Sequence, residues 1–199
     1  MNYDVLLVGV GGQGVLTMAQ IMAETACQKG IPVNFYPTKG MAQRGGFVKA
    51  QVRLGREVVG PNIPEKGADL AIAMEMSEAL KAVRFVKPGG DFVLFSHIWA
   101  PAAVMLGQAD YPALDQVLEQ VQEAGGRIHY FEAESLPVYE SSPVPANVFV
   151  LGLALGHTKL GTVLEPSDVA EVVRTRWKRG ADRNLFAFRA GLESPIQEP

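Results

Sequence analysis

Cysteine is almost missing from this chain: Cys27 is the one thiol in 199 residues. A single thiol excludes an internal disulfide, a thiolate zinc cage and a cysteine-held iron–sulfur cluster within the chain. Cys27 falls beside Ala26 in a helical pattern, which predicts a buried small apolar filler. Long apolar runs are missing too, and none approaches the roughly 20 residues of a membrane span. The opening residues show no basic region followed by an apolar segment and a cleavage site, so a cytoplasmic protein is expected. An excess of positive charge is also absent. The net charge of -3 argues against nucleic acid or an anionic membrane as the main partner. Internal repeats and low-complexity tracts do not occur. What is left, 48% hydrophobic and 20% charged residues, suits an ordinary globular chain long enough for one full core.

What is present is organised around Tyr3–Thr17. Val5–Val8 is an uninterrupted apolar run, which predicts a strand buried on both faces. It ends in Gly9, Gly11 and Gly14, the G-x-G-x-x-G spacing, and passes into Val15, Met18, Ala19, Met22 and Ala26 at helical spacing. Gly9 and Gly11 permit a tight reversal, and Gly14 allows close helix–strand packing. The loop leaves the helix N-terminus open to an anion or to another backbone.

Strands and helices then alternate. A helix over Gly14–Gln28 stops at Lys29-Gly30, and Ile31–Tyr36 reads as a second strand. A loop leads to Phe47–Leu54, where Val48, Ala50, Val52 and Leu54 alternate with Lys49, Gln51 and Arg53. That pattern predicts an antiparallel strand with one wet face, turning at Gly55-Arg56-Glu57 into Val58-Val59. Ala68–Met74 is an apolar strand, followed by a helix carrying Met76, Ala79, Leu80 and Val83. Pro88-Gly89-Gly90 predicts a turn and Asp91–Ser96 a strand. Leu114, Val117, Leu118 and Val121 mark a helix that ends at Gly125-Gly126, before a strand over Arg127–Phe131. The last third reads as helical: Ala146–Leu155, Ser167 as N-cap through Trp177, and Ala181–Leu192. The proline-rich Leu136–Pro145 is the one linker-like stretch, and it returns the chain to the same core. The expectation is a single α/β domain over residues 1–199. Its sheet is Rossmann-like, doubly wound and mostly parallel, with an antiparallel hairpin and a helical C-terminal third.

A dinucleotide site of the NAD type needs an acid at the end of the second strand. Phe35-Tyr36-Pro37-Thr38 offers none, whereas Lys39 and Arg44 could receive a 2′-phosphate. A stand-alone NADP- or flavin-dependent reductase therefore stays open as an alternative. A partner surface explains the second glycine loop equally well.

Gly9-Val10-Gly11-Gly12-Gln13-Gly14-Val15 is followed some 25 residues later by Gly40-Met41-Ala42-Gln43-Arg44-Gly45-Gly46. Together these resemble the gamma-type (pyruvate/ketoisovalerate oxidoreductase catalytic-type) domain of 2-oxoacid:ferredoxin oxidoreductases. The wording of the second loop is most similar to the beta subunits of indolepyruvate ferredoxin oxidoreductases. Asn147 before Phe149-Val150-Leu151-Gly152, and Asn184 through Gly191, extend the resemblance over almost the whole chain. The resemblance implies a subunit of a complex that oxidatively decarboxylates a 2-oxoacid, joins the acyl group to coenzyme A and passes electrons to ferredoxin. It implies no cofactor in this chain; thiamine diphosphate, magnesium and iron–sulfur clusters would lie on a large alpha subunit. The two glycine loops would dock on that subunit and shape access of the substrate or coenzyme A. Without the partner, such loops would favour a homodimer.

The candidate ligand or interface residues are Gly9, Gly11, Gly12, Gln13, Gly14, Thr17, Lys39, Gly40, Met41, Gln43, Arg44, Gly45 and Gly46. No catalytic residue and no metal ligand is expected. Arg44, a rigid fork of donors between glycines, suits a carboxylate or phosphate best. Gln13 and Thr17 suit a phosphate, a partner carbonyl or simple helix capping. Glu75, at a strand's C-terminal edge, reads as a helix cap, and His97, next to Trp99, as a group lining the crevice. His129 and His157 read as structural, Asn147 as an N-cap, and Arg174–Arg179 as a solvated helix end. Met41, Met74 and Met76 read as core filling.

Overall fold

The structure, a computed structural model, describes residues 1–39 and 45–196. Six strands form one sheet: β1 (Tyr3–Val10), β2 (Val33–Lys39), β3 (Phe47–Leu54), β4 (Ala68–Ala73), β5 (Val86–Phe95) and β6 (Arg127–Phe131). Their order across it is β2-β3-β1-β4-β5-β6. β7 (Val138–Tyr139) and β8 (Ser142–Pro143) make a separate small hairpin inside the proline-rich stretch. The helices are α1 (Val15–Gln28), α2 (Met76–Val83), α3 (Ala102–Met105), α4 (Leu114–Glu123), α5 (Ala146–His157), α6 (Leu160–Val163), α7 (Pro166–Arg176) and α8 (Ala181–Glu193). None of them is long and apolar enough to cross a membrane.

β1 is the axis of the fold. Val5 and Leu7 point into one core with α1, α5, α7 and α8, while Leu6 and Val8 point into the other with α2 and α4. All four are fully buried, and each contributes on the order of 1.5–3 kcal/mol of transfer energy. This is a doubly wound α/β arrangement, and the sheet is parallel except for β3. The expected α/β class holds. α1 stops where its periodicity stops, at Gly30 with φ 68°, a left-handed conformation that costs glycine little.

Several local expectations change. β3 is antiparallel as its alternation requires, but its polar face is buried. Gln51 and Arg53 are only 1% and 6% exposed, because residues 56–63 fold across them. Gln51 Oε1 accepts from Ile63 N at 2.7 Å. Arg53 forks onto Asp4 at 3.0 and 2.9 Å and also reaches the carbonyls of Gly60 and Asn62. The segment after Gly55 therefore forms no strand, and Val58 is 95% exposed. Pro88-Gly89-Gly90 does not interrupt β5 but forms an irregularity within it, with extra residues between the Ala68 and Leu70 registers. α7 begins at Pro166 with Glu165 as N-cap, so Ser167 lies inside the helix. Proline at the first helical position needs no donor there. α5 is capped by Pro145, which leaves Asn147 within its first turn. Cys27 is exposed, not buried: it falls on the outer face of α1, away from the stripe of Met18, Met22 and Ala26.

Candidate functional site

The C-terminal ends of β1, β4 and β5 converge on one edge of the sheet, the place where open α/β sheets bind ligands. Because β3 runs antiparallel, its first residue, Phe47, lies opposite Val10, the last of β1. That register brings the two glycine loops together. Gly11 N donates to Gly46 O at 2.8 Å, and Gly45 N donates to Gly11 O at 3.4 Å. Gly45 has φ 72°, and a Cβ there would meet Trp99 Nε1 at 3.2 Å. Gly14 caps α1 with φ 75°, and a Cβ there would run into Asn147 Nδ2 at 2.5 Å. Glycine at these two positions admits both the left-handed backbone and the close neighbour.

Gln13 ties the loop to the strands beside it. Its Oε1 accepts from Val10 N at 2.9 Å, and its Nε2 donates to the Met74 carbonyl at 2.8 Å. Gly9 makes room for this side chain, since a Cβ on Gly9 would lie 2.7 Å from Gln13 Oε1. Gln13 thus bridges β1 and β4, which is more than helix capping. His97 Nδ1 lies 3.2 Å from the same Nε2. The ring stacks on Phe95 at 6.3 Å between centroids and faces Trp99 at 6.2 Å. Phe95 in turn stacks on Phe131, which tilts against Phe149, so an aromatic row runs from the core to the surface.

These groups enclose a cleft of about 630 Å³, walled by the first glycine loop, Met74, Phe95, His97, Trp99 and the start of α5. α1 and α5 both open on it with their N-termini, which favour acceptor groups or negative charge. The neighbouring N-terminus of α2 is closed by Glu75, a fully buried residue. Its carboxylate accepts from Ser77 Oγ, Glu78 N, Trp99 N and Tyr111 Oη. The cap role expected for Glu75 holds, and the same side chain also pins the segment carrying Trp99. Burial first, and then the Glu75 carboxylate, push the Tyr111 hydroxyl well above the usual phenol range.

Of the candidate residues, Gly11, Gly12, Gln13 and Gly14 line the cleft, Gly9 supports it from β1, and Gly45 and Gly46 hold its rim. Thr17 lies half-buried one turn into α1. Gly40, Met41, Gln43 and Arg44 lie outside the described residues, as does the side chain of Lys39. Met74 and Met76 are buried in the two cores. His97 lines the crevice as expected. His129 pairs with Asp91, and His157 lies 2.7 Å from Ser194 O. At the end of α7, Arg174 pairs with Glu171, and Arg176 ties to α1 through Glu24 and Gln20. Phe95, Pro145 and Ala146 escaped the sequence reading, since an apolar residue at a strand or helix end looks like core. The geometry speaks against a dinucleotide. β3 occupies the slot beside β1, so β2, whose end would meet the ribose, sits at the sheet edge.

Fold and cleft together define a Rossmann-like protein whose sheet edge is built from two interlocked glycine loops. The chain belongs to the pyruvate ferredoxin/flavodoxin oxidoreductase family, whose profile matches residues 4–194. It is 36% identical to indolepyruvate oxidoreductase subunit IorB of Archaeoglobus fulgidus over 197 residues, covering 98% of this chain and 96% of the relative. The subunit of that name from Thermococcus kodakarensis is 36% identical over 195 residues, covering 97% and 96%. Among solved structures, pyruvate oxidoreductase subunit PORC of Thermotoga maritima superposes with a TM-score of 0.72 at 18% identity, covering 98% and 97%. A 2-oxoglutarate:ferredoxin oxidoreductase from Magnetococcus marinus, solved with 2-oxoglutarate, coenzyme A and succinyl-CoA bound, gives 0.58 at 18% identity. There the match covers 96% of this chain and 30% of that one. At such identities these structures show a shared fold.

Proposed function

We propose that this chain is the small subunit of a thiamine-dependent 2-oxoacid:ferredoxin oxidoreductase acting on an arylpyruvate such as indolepyruvate. The reaction removes carbon dioxide from the 2-oxoacid, joins the acyl group to coenzyme A and passes the electrons to ferredoxin. The chain docks on the large subunit through its two glycine loops, and its cleft shapes the approach of the 2-oxoacid or coenzyme A. The supporting observation is the pairing of Gly11 with Gly46. It fuses the two loops into one rim at the mouth of an apolar cleft with two helix N-termini behind it. Near full-length similarity to subunits named for indolepyruvate favours the aryl substrate.

The residues of this chain do not fit the complex's redox cofactors. One cysteine cannot hold a cluster. Among the described residues no three His, Cys, Asp or Glu side chains gather as metal ligands. The reading therefore places thiamine diphosphate, magnesium and the clusters on the large subunit, and gives this chain the work of orienting and sealing.

The test is co-expression with the large subunit, followed by anaerobic assay of arylpyruvate- and coenzyme A-dependent dye reduction, with and without Arg44→Ala. The expected result is activity that needs this chain and falls, in rate or assembly, with the substitution. A large subunit fully active alone would overturn the reading.

A further inference from the structure

The amide of Gln13 is held at both ends by backbone groups whose roles are fixed. Val10 N–H can only donate, so the oxygen faces it, and the Met74 carbonyl can only accept, so the nitrogen faces that. The same nitrogen, 3.2 Å from His97 Nδ1, has only hydrogens to offer. Nδ1 must therefore accept, and a neutral His97 carries its hydrogen on Nε2. The ring cannot swivel freely away from this arrangement. Phe95 and Trp99 flank it, His97 N donates to Phe95 O at 2.8 Å, and His97 O accepts from Met76 N at 3.1 Å.

We infer that His97, locked as the Nε2–H tautomer by Gln13, is a binding residue of the cleft. It presents one fixed, neutral donor to a carbonyl or amide oxygen of the small molecule that enters. Gln13 is the positioning residue behind it. A fixed donor between aromatic walls suits an acceptor oxygen. The inference rests on the subunit reading above for what enters the cleft, but the tautomer can be tested without it.

Imidazole 15N NMR on the full-length chain reads the tautomer directly. The sequence has three histidines, and His97→Phe identifies the signal. The expected spectrum at neutral pH shows Nδ1 bare and Nε2 protonated, shifting toward a mixture in Gln13→Leu. A ring protonated on Nδ1, or on both nitrogens, overturns the inference. In the reconstituted complex, His97→Phe keeps the stacking and removes the donor. It should raise the KM of one substrate, the 2-oxoacid or coenzyme A, about three- to tenfold with kcat nearly held, the span of one neutral hydrogen bond. His97→Gln, whose amide nitrogen can stand in for Nε2, should recover most of that loss. The KM that moves names the ligand. If neither moves while binding of the large subunit weakens, the donor serves the interface and the ligand assignment falls. Activity that never needed this chain would sink the subunit reading and leave the NMR result to stand by itself.

Discussion

Gly152 of α5 and Phe188 of α8 stand so close that a Cβ on the glycine would overlap the Phe188 carbonyl oxygen. Gly191 of α8 repeats the relationship against the Phe149 carbonyl, and Gly156 faces the backbone of Leu192. The two helices thus cross backbone to backbone. Gly191→Ala should destabilise the chain by about 1–3 kcal/mol, the cost of forcing a methyl group into a packed core. Gly60, where a Cβ meets nothing within 4 Å, is the control, and Gly60→Ala should stay within about 0.5 kcal/mol. Urea unfolding midpoints check both, and equal midpoints for the two variants would refute the crossing argument.

The Asp4–Arg53 pair joins β1 to β3 in a buried setting, with side chains 3% and 7% exposed. Arg56 also reaches Asp4 Oδ2 at 3.3 Å. Asp4→Asn, which strands the buried Arg53, should therefore cost about 3–5 kcal/mol, and Arg53→Met, which leaves Asp4 its Arg56 partner, less. Asp4→Asn combined with Arg53→Met should cost well under the sum, because no lone charge then remains. A double-mutant cycle in urea supplies the comparison, and strict additivity is the result that would contradict the pairing.

Asp91 gives the fold a pH dependence of defined sign. Burial pushes its carboxyl up, but hydrogen bonds from His129 and Arg127, with their charges, carry it below the ordinary carboxylate range. A depressed folded value stabilises the fold above the unfolded value of about 3.9, and that contribution is lost as pH falls through the folded value. Unfolding midpoints between pH 7 and pH 3 should fall more steeply for the wild type than for Asp91→Asn. Parallel curves would show that Asp91 carries none of the acid sensitivity.

Glu75 holds the segment from Trp99 to Tyr111 by accepting from both ends of it. Both bonds end on Oε1, and Glu75→Leu removes them together with the cap on Glu78 N. A cost of about 1–3 kcal/mol follows if a buried donor loses its partner. Trp99 fluorescence, read in a Trp177→Phe background, should shift toward a more solvated indole. Cleavage by protease within residues 98–111 should accelerate. An unchanged emission spectrum would mean that the segment does not depend on the carboxylate.

Much of this architecture is legible in the residues themselves. The run Val5–Val8, the stripe of Met18, Met22 and Ala26, and Leu114, Val117, Leu118 and Val121 declare their elements because burial imposes a period. What alternation in β3 does not declare is the cover over its polar face, since Gln51 and Arg53 are satisfied by residues 4 and 56–63 rather than by water. Nor does a strand's own pattern reveal its neighbours, which is why the place of β2 at the sheet edge had to come from the structure. The glycine loops were visible as motifs. Their mutual hydrogen bonds and the Gln13–His97 contact are long-range relationships, and no local pattern encodes them.

The insertion of β3 between β2 and β1 also bears on how the chain reaches this state. The β2–β3 hairpin closes over a short connection, whereas Asp4 and Arg53 are 49 residues apart in sequence. Local pairing meets the smaller loop-closure entropy, so the hairpin has the shorter search and its docking beside β1 the longer. The rim made by Gly11 and Gly46 forms at that same docking, and so it is assembled in the longer of these two searches.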